Sequence, residues 1–256
     1  MKHRYLFSVL SAALLAIPVC AEMQTWTTSD GKTFEAEYIN RMGPNAILKT
    51  AKGKQIKVPL RRLSEENREY IQLQHPPKFN IEFINISEKV PPPPSSPFVD
   101  LFFPSRCFDW TFGVRVKQKD ASFDYGHEIF IEYYALGKEV GGDHYVYLSH
   151  GESSFTPTKE NRGIYSFQAE NPVRLQAKAL TDQASLRGIE YDGYVVILRD
   201  KRGEIIQHSE SSKAFFSNID NIGKLHFPNR FNDEGVRVGA SRPKEVLDRG
   251  NPWLFK

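Results

Sequence analysis

The sequence predicts a mostly-β chain of two modules, a small N-terminal barrel followed by a β-sandwich-like domain with one or two short helices. Three observations carry that expectation. Short runs of alternating apolar and polar residues, the period of half-buried strands, recur along the chain after residue 22. Turns rich in Gly, Asn and Asp separate them. A proline run at residues 91–97 (PPPPSSP) interrupts the pattern and reads as a boundary.

Residues 1–21 read as a secretory signal. Lys2, His3 and Arg4 form a basic start, residues 5–17 an apolar run, and Val19-Cys20-Ala21 a small-residue cleavage site after Pro18. The run is shorter than the roughly 20 apolar residues of a transmembrane helix. Cleavage after Ala21 and a periplasmic or secreted location are expected. The rival is lipidation at Cys20, which Pro18 and Val19 disfavour. Cleavage removes Lys2 and Arg4 and leaves 32 basic against 31 acidic residues, so the overall basic balance says little about partners. It also leaves Cys107 as the only cysteine, which excludes an intrachain disulfide. Among Phe102, Phe103, Phe108 and Trp110 that thiol is expected to be buried. Pairing two chains is its other reading, and no neighbouring base marks it as a nucleophile.

The first module spans residues 22–75. Residues 24–28 form a strand, and Ser29-Asp30-Gly31-Lys32 a turn with glycine at a positive-φ position. Residues 33–39 place Phe34, Ala36 and Tyr38 on one face and Glu35 and Glu37 on the other. A break at Met42-Gly43-Pro44-Asn45 leads into a strand over 46–50, and Lys52-Gly53-Lys54 turns into one over 55–60. Ser64 is a good N-cap, with Glu65 and Glu66 where the helix dipole favours carboxylates. Tyr70 and Ile71 would pack that helix onto the strands. A domain this small needs nearly all its apolar side chains inside, so Trp26, Phe34, Ala36, Tyr38, Ile47, Leu48, Ile56, Val58 and Leu60 are assigned to the core.

Four or five short strands is an SH3-like count, and the residues at the turns narrow it. Trp26-Thr27, then Asp30-Gly31-Lys32, Glu35-Ala36-Glu37, Gly53-Lys54, Val58-Pro59-Leu60 and Leu63-Ser64-Glu65-Glu66 occur in order. Over residues 24–71 this resembles the Sla-one homology domain, an SH3-like family named after a yeast endocytic adaptor and frequent in exported bacterial proteins. Asn67 departs from the pattern, since many members carry Asp there. The resemblance implies an SH3-like barrel that binds a peptide; the adaptor's own copy takes an Asn-Pro-Phe-containing peptide ending in an acidic residue. Cytoskeletal and self-binding roles are implied by the family alone.

Residues 76–97 are assigned to a linker. It includes an alternating run over 78–86 that reads as a bridging strand, and the proline run, which reads as a semi-rigid spacer or as a ligand for an aromatic groove. The second module, residues 98–256, has strands expected over 110–117, 128–136, 145–149, 163–168, 172–178, 188–199 and 204–208. Such spacing without helical periodicity predicts a sandwich. One helix is expected over 212–219, with Ala214, Phe215 and Ile219 inward, and a helical turn over 243–247.

Chemistry is sparse. His127, His144 and His150 flank one expected hairpin beside Glu128 and Asp143. In one register His127 faces His150, and two imidazoles and a carboxylate could approach a metal; a shift of one residue sends them to opposite faces, and the other reading is exposed polar residues at strand ends. Ser149-His150-Gly151-Glu152-Ser153 has triad residue types, but neighbours on a strand point to opposite faces, which argues against a triad. No phosphate loop or dinucleotide fingerprint occurs, and no cofactor is expected. Residues 38–64 hold no acid, while Arg41, Lys49, Lys52, Lys54, Lys57, Arg61 and Arg62 are basic. These form either a positive face for an anionic partner or strand lysines that discourage edge-to-edge pairing. Lys49, Lys52, Lys54, Lys57, Arg61 and Arg62 are the candidate binding residues.

The expected function is non-enzymatic: an exported protein-binding or scaffolding protein of the cell envelope, with a protein or acidic peptide as partner. Nucleic acid and a transmembrane segment are not expected, and self-association stays open. The alternative is an envelope hydrolase with its catalytic site in the second module and the barrel as a targeting unit.

Overall fold

The computed structural model describes residues 23–92, 105–120, 125–180, 185–241 and 244–245. The expected signal segment and most of the proline run lie outside the described residues. The chain is mostly β, with two sheets and only short helices among these residues. It divides into two compact units, Met1–His75 and Pro76–Lys256.

In the first unit four antiparallel strands lie in chain order: β1 (Met23–Thr27), β2 (Thr33–Met42), β3 (Asn45–Thr50) and β4 (Gln55–Pro59). Gly31 and Gly53 occupy their turns at φ of 81° and 78°, as the sequence requires. A 3₁₀ turn (Leu60–Arg62) brings the chain back so that Leu63 bridges Thr28. The Ser29 N–H donates to the Arg62 carbonyl and the Ser64 N–H to the Thr27 carbonyl, both at 2.8 Å. Helix α1 (Glu65–Gln74) then starts on Ser64, whose hydroxyl accepts from the Asn67 N–H at 3.4 Å.

Trp26, Ala36, Ala46, Leu48, Leu63 and Ile71 are fully buried. Phe34, Tyr38, Ile56, Val58 and Leu60 pack around them. Ile47 departs from its core assignment. It is only half-buried, since alternation puts it on the face opposite Leu48, where its cross-strand partner is Lys57. Ala46, its neighbour, takes the core position.

The second unit begins inside the segment assigned to the linker. Strand β5 (Phe79–Lys89) pairs along its whole length with β6 (Arg106–Gln118), so residues 79–89 are part of the larger sheet. The strands that follow are β7 (Ile129–Glu139), β8 (Tyr145–Phe155), β9 (Ile164–Gln168), β10 (Val173–Leu180), β11 (Ser185–Arg199) and β12 (Ile205–Glu210). Two short helices, α2 (Lys213–Ser217) and α3 (Ile219–Ile222), precede β13 (Arg230–Phe231), β14 (Arg237–Val238) and β15 (Lys244–Glu245).

These form one eleven-stranded sheet with the path β14-β13-β8-β7-β11-β10-β6-β5; β12 and β15 also pair with β11, and β9 with β6. The long strand β11 joins its two portions. Residues 185–188 pair with β10, and residues 189–199 with β7, across a bulge between Tyr191 and Gly193.

Rings bring the two portions together. Phe83 of β5 stacks on Tyr194 of β11 at 4.5 Å and meets Tyr133 of β7 edge-on at 5.8 Å. The other side of β7 and β11 is also covered: Tyr134, Leu136, Tyr147, Val195 and Ile197 pack with Phe215, Ile222 and Phe231. Burial on both faces explains why these strands read as near-continuous apolar runs instead of a clean alternation. Cys107 is buried, as its aromatic neighbours predict.

Two helical expectations change. The single helix over 212–219 is two, because Asn218 ends the first by donating its amide to the carbonyls of Ala214 and Asp233 at 3.0 and 2.9 Å. Ala214 is exposed, and Phe216 and Ile219 pack inward with buried Phe215 and Ile222. In place of a helical turn over 243–247, Lys244 and Glu245 are extended and pair with Leu186 and Ser185 on the edge of β11. The remainder of that turn lies outside the described residues.

Candidate functional site

The six candidate cations lie in three neighbouring stretches of the first unit. Lys49 (β3) and Lys57 (β4) point to the face opposite the core, Lys52 and Lys54 occupy the turn between these strands, and Arg61 and Arg62 form the 3₁₀ turn. Their surroundings differ. Lys49 sits across the ladder from Glu37 and its ammonium lies 3.4 Å from that carboxylate. Lys52, Lys54, Lys57, Arg61 and Arg62 are exposed and make no ion pair among the described residues. The acid-free stretch is therefore not an acid-free surface. Alternation puts Glu35 and Glu37 of β2 on the same face as Lys49 and Lys57, which a count along the chain does not show.

Next to the core, aromatic rings gather where α1 meets the sheet. Trp26 donates its indole N–H to the Ala36 carbonyl at 2.9 Å, and its ring lies 6.0 Å from both Tyr38 and Tyr70. The Tyr38 hydroxyl hydrogen-bonds His75 Nε2. Burial pushes the Tyr38 phenol up to about 12, and burial, with Arg41 adding to it, lowers the His75 pKa. Both shifts favour the uncharged forms of the pair. Neither Tyr38 nor His75 stands out in the sequence as a polar pair, because 37 residues separate them. Asn67 is a second residue whose role needs the structure: its amide donates to the Thr27 carbonyl at 3.1 Å and ties α1 to β1.

The histidines do not converge. Both strands of the hairpin run to eleven residues, with a bulge between Ala135 and Leu136, and in the resulting register His150 faces Tyr134. His127 precedes Ile129, whose partner is Phe155, so the two imidazoles lie at separate points along the hairpin. Each has its own neighbour: His127 meets Tyr125 edge-on, His150 stacks on Tyr134 at 4.7 Å, and His144 Nδ1 lies 3.0 Å from the Gly239 carbonyl. Among the described residues no cluster of three His, Cys, Asp or Glu could hold a metal ion. The 149–153 stretch follows strand alternation. Ser149 and Ser153 meet the hydroxyls of Tyr133 and Tyr165, while His150 and Glu152, 3.4 Å apart, share the other face.

Among the described residues no helix is long and apolar enough to cross a membrane. No family model matches the chain, and no curated protein matches it. Among solved structures, a crystal structure from Akkermansia muciniphila is similar at 11% identity over 60% of this chain and 80% of that one, with a TM-score of 0.21. A likeness at that level transfers neither fold nor function.

Proposed function

We propose that this chain is an exported protein-binding or scaffolding protein of the cell envelope, and that residues 22–75 are an SH3-like Sla-one homology module that takes an acidic peptide. One observation carries the reading: among the described residues, five of the six candidate cations are exposed without a carboxylate partner, on adjoining strands and turns of one small unit. Such a set attracts an anionic partner and costs little to desolvate in part. The SH3-like assignment draws support from the way the 3₁₀ turn returns the chain to β1 through the Thr28–Leu63 bridge.

The test replaces Lys52, Lys54, Lys57 and Arg61 together by Gln in the mature chain. Binding of an acidic peptide to the wild type should fall with added salt, because exposed charges are screened. The variant should keep its melt and lose that binding. Salt-insensitive binding that survives the change rejects this surface.

The hydrolase alternative has one observation in its favour. An open recess of about 430 Å³ in the second unit is lined by His150, Glu152 and Glu170. Glu152→Gln should abolish release of soluble fragments from envelope glycan if that recess is catalytic; unchanged release, or none from the wild type, sets the alternative aside.

A further inference from the structure

A recess of about 270 Å³ in the second unit lies against the turn between β7 and β8 and the start of β11. Arg174, Arg187 and Arg230 contribute to its wall, with Glu139 and the backbone of Gly141 and Gly142. Two of the guanidinium groups are held by acids. Arg174 makes a two-pronged pair with Asp109, with both bonds at 2.7 Å. Arg230 donates its Nε–H to Glu139.

Glu139 is the one buried acid of this wall, and it is fully engaged. It also accepts from the Ser241 N–H at 3.1 Å, and His144 Nδ1 lies 3.8 Å away. Burial alone would raise its pKa, but the hydrogen bonds from Ser241 and Arg230 outweigh that and hold it below the usual carboxylate value. Gly142 is required here, since a Cβ would come within 2.6 Å of the Glu139 carboxylate.

Arg187 is the exception. It is half-buried, donates from Nη1 to the Ser241 carbonyl at 3.2 Å, and makes no ion pair among the described residues. A partly buried guanidinium without a counter-charge is costly unless an anion completes it.

We propose that this recess binds a small oxyanion, a carboxylate, sulfate or phosphate group, with Arg187 as its principal cation and Arg174 and Arg230 flanking it. The three guanidinium groups of the wall are matched among the described residues by two carboxylates, Glu139 on the wall and Asp109 behind Arg174, which leaves one positive charge. The planar forks of arginine match these groups through paired N–H donors. Gly141 and Gly142 complete the lining beside Glu139. With about 30 Å³ for each liquid water, the recess has room for a charged head group and a few further atoms. The site lies in the second unit and does not depend on the reading of the first.

The test titrates the mature chain at low ionic strength with inorganic phosphate, inorganic sulfate and glucuronate in separate calorimetric runs. At least one should bind saturably, and the strongest arm identifies the head group. Arg187→Gln should weaken it roughly tenfold or more, and Arg187→Lys, which keeps the charge but not the fork, should fall between. Should the variants fail to fold, phenylglyoxal modification of the wild type decides. The bound anion should protect Arg187 while exposed Arg115 reacts unchanged. Absence of saturable binding in all three arms, full binding by Arg187→Gln, or equal reaction of Arg187 with and without anion would each overturn the proposal.

Discussion

The two units use their basic residues in opposite ways. In the first, among the described residues, five exposed cations of the β3–β4 region and the 3₁₀ turn stand without acids, and Lys49 alone of the candidate set is paired. In the second, four arginines are clamped: Arg174 to Asp109, Arg199 to Glu132, Arg202 to Asp200 and Glu204, Arg230 to Glu139. In the second unit the pairs of Arg174 and Arg199 join neighbouring strands. Arg187, unclamped among clamped neighbours, is informative for that reason.

The largest expected effect tests what holds the first unit together once charge is set aside. Trp26→Ala should cost about 3–5 kcal/mol, the usual range for removing a fully buried large aromatic. It also leaves the Ala36 carbonyl without its indole donor. A small unit has little stability in reserve, so this change should unfold residues 23–75 and spare the larger sheet. Hydrogen exchange on the full chain is the measurement. Protection lost in both units together would show that they fold as one.

For the second unit, Arg230→Ala should cost about 2–4 kcal/mol at pH 7, somewhat below the figure for a fully buried pair because Arg230 keeps some contact with water. The pH dependence is sharper. In the wild type the Glu139 pKa is lowered, so its contribution is present above the unfolded carboxylate pKa and is lost as pH falls through the folded value. Without Arg230 one of the two residues that hold that pKa down is gone, so it rises and the variant loses less stability than the wild type on acidification. The gap between the two melting temperatures should narrow as pH falls below about 5. A gap that widens on acidification would mean that Glu139 is held by other groups.

The same contrast explains what the sequence made legible. In the first unit the strand order is the chain order, so each turn signal also names a partner, and strands, turns, cap and most of the core follow from residues near one another. Ile47 fails because an apolar pair, Ile47-Leu48, cannot say which member faces in. In the second unit the strands themselves are readable but their partners are not. Strand β11 pairs with β10, β7, β12 and β15, and nothing local in Ser185–Arg199 specifies four neighbours. The metal reading of His127 and His150 fell with the register, which a bulge and longer strands set. Arg174, Arg187 and Arg230 share no motif, and only the pairing of three distant segments places them on one recess.

Asn67 allows a smaller test within the first unit. Aspartate would gain about 0.3–1 kcal/mol from the helix dipole. It would lose the amide donor to Thr27 and set a carboxylate against that carbonyl, a cost of about 1–3 kcal/mol. Asn67→Asp should therefore destabilise the first unit by about 1 kcal/mol net. A stabilised variant would show that the Thr27 contact carries no weight.

The smallest effect separates the one paired lysine from its neighbours. Lys49 and Glu37 form an exposed cross-strand pair, so Lys49→Gln should cost about 0.2–1 kcal/mol at low salt. Lys57→Gln removes a cation that has no ion-pair partner among the described residues, next to others of like charge, and should be neutral or slightly stabilising, within about 0.5 kcal/mol. The difference between the two variants should vanish in molar salt, where exposed charges are screened within about 3 Å. Thermal melts of both variants at low and high salt measure it. If Lys57→Gln proved the costlier change at low salt, Lys57 would have a stabilising partner in solution, and the unpaired cations of the first unit could no longer be read as free for a ligand.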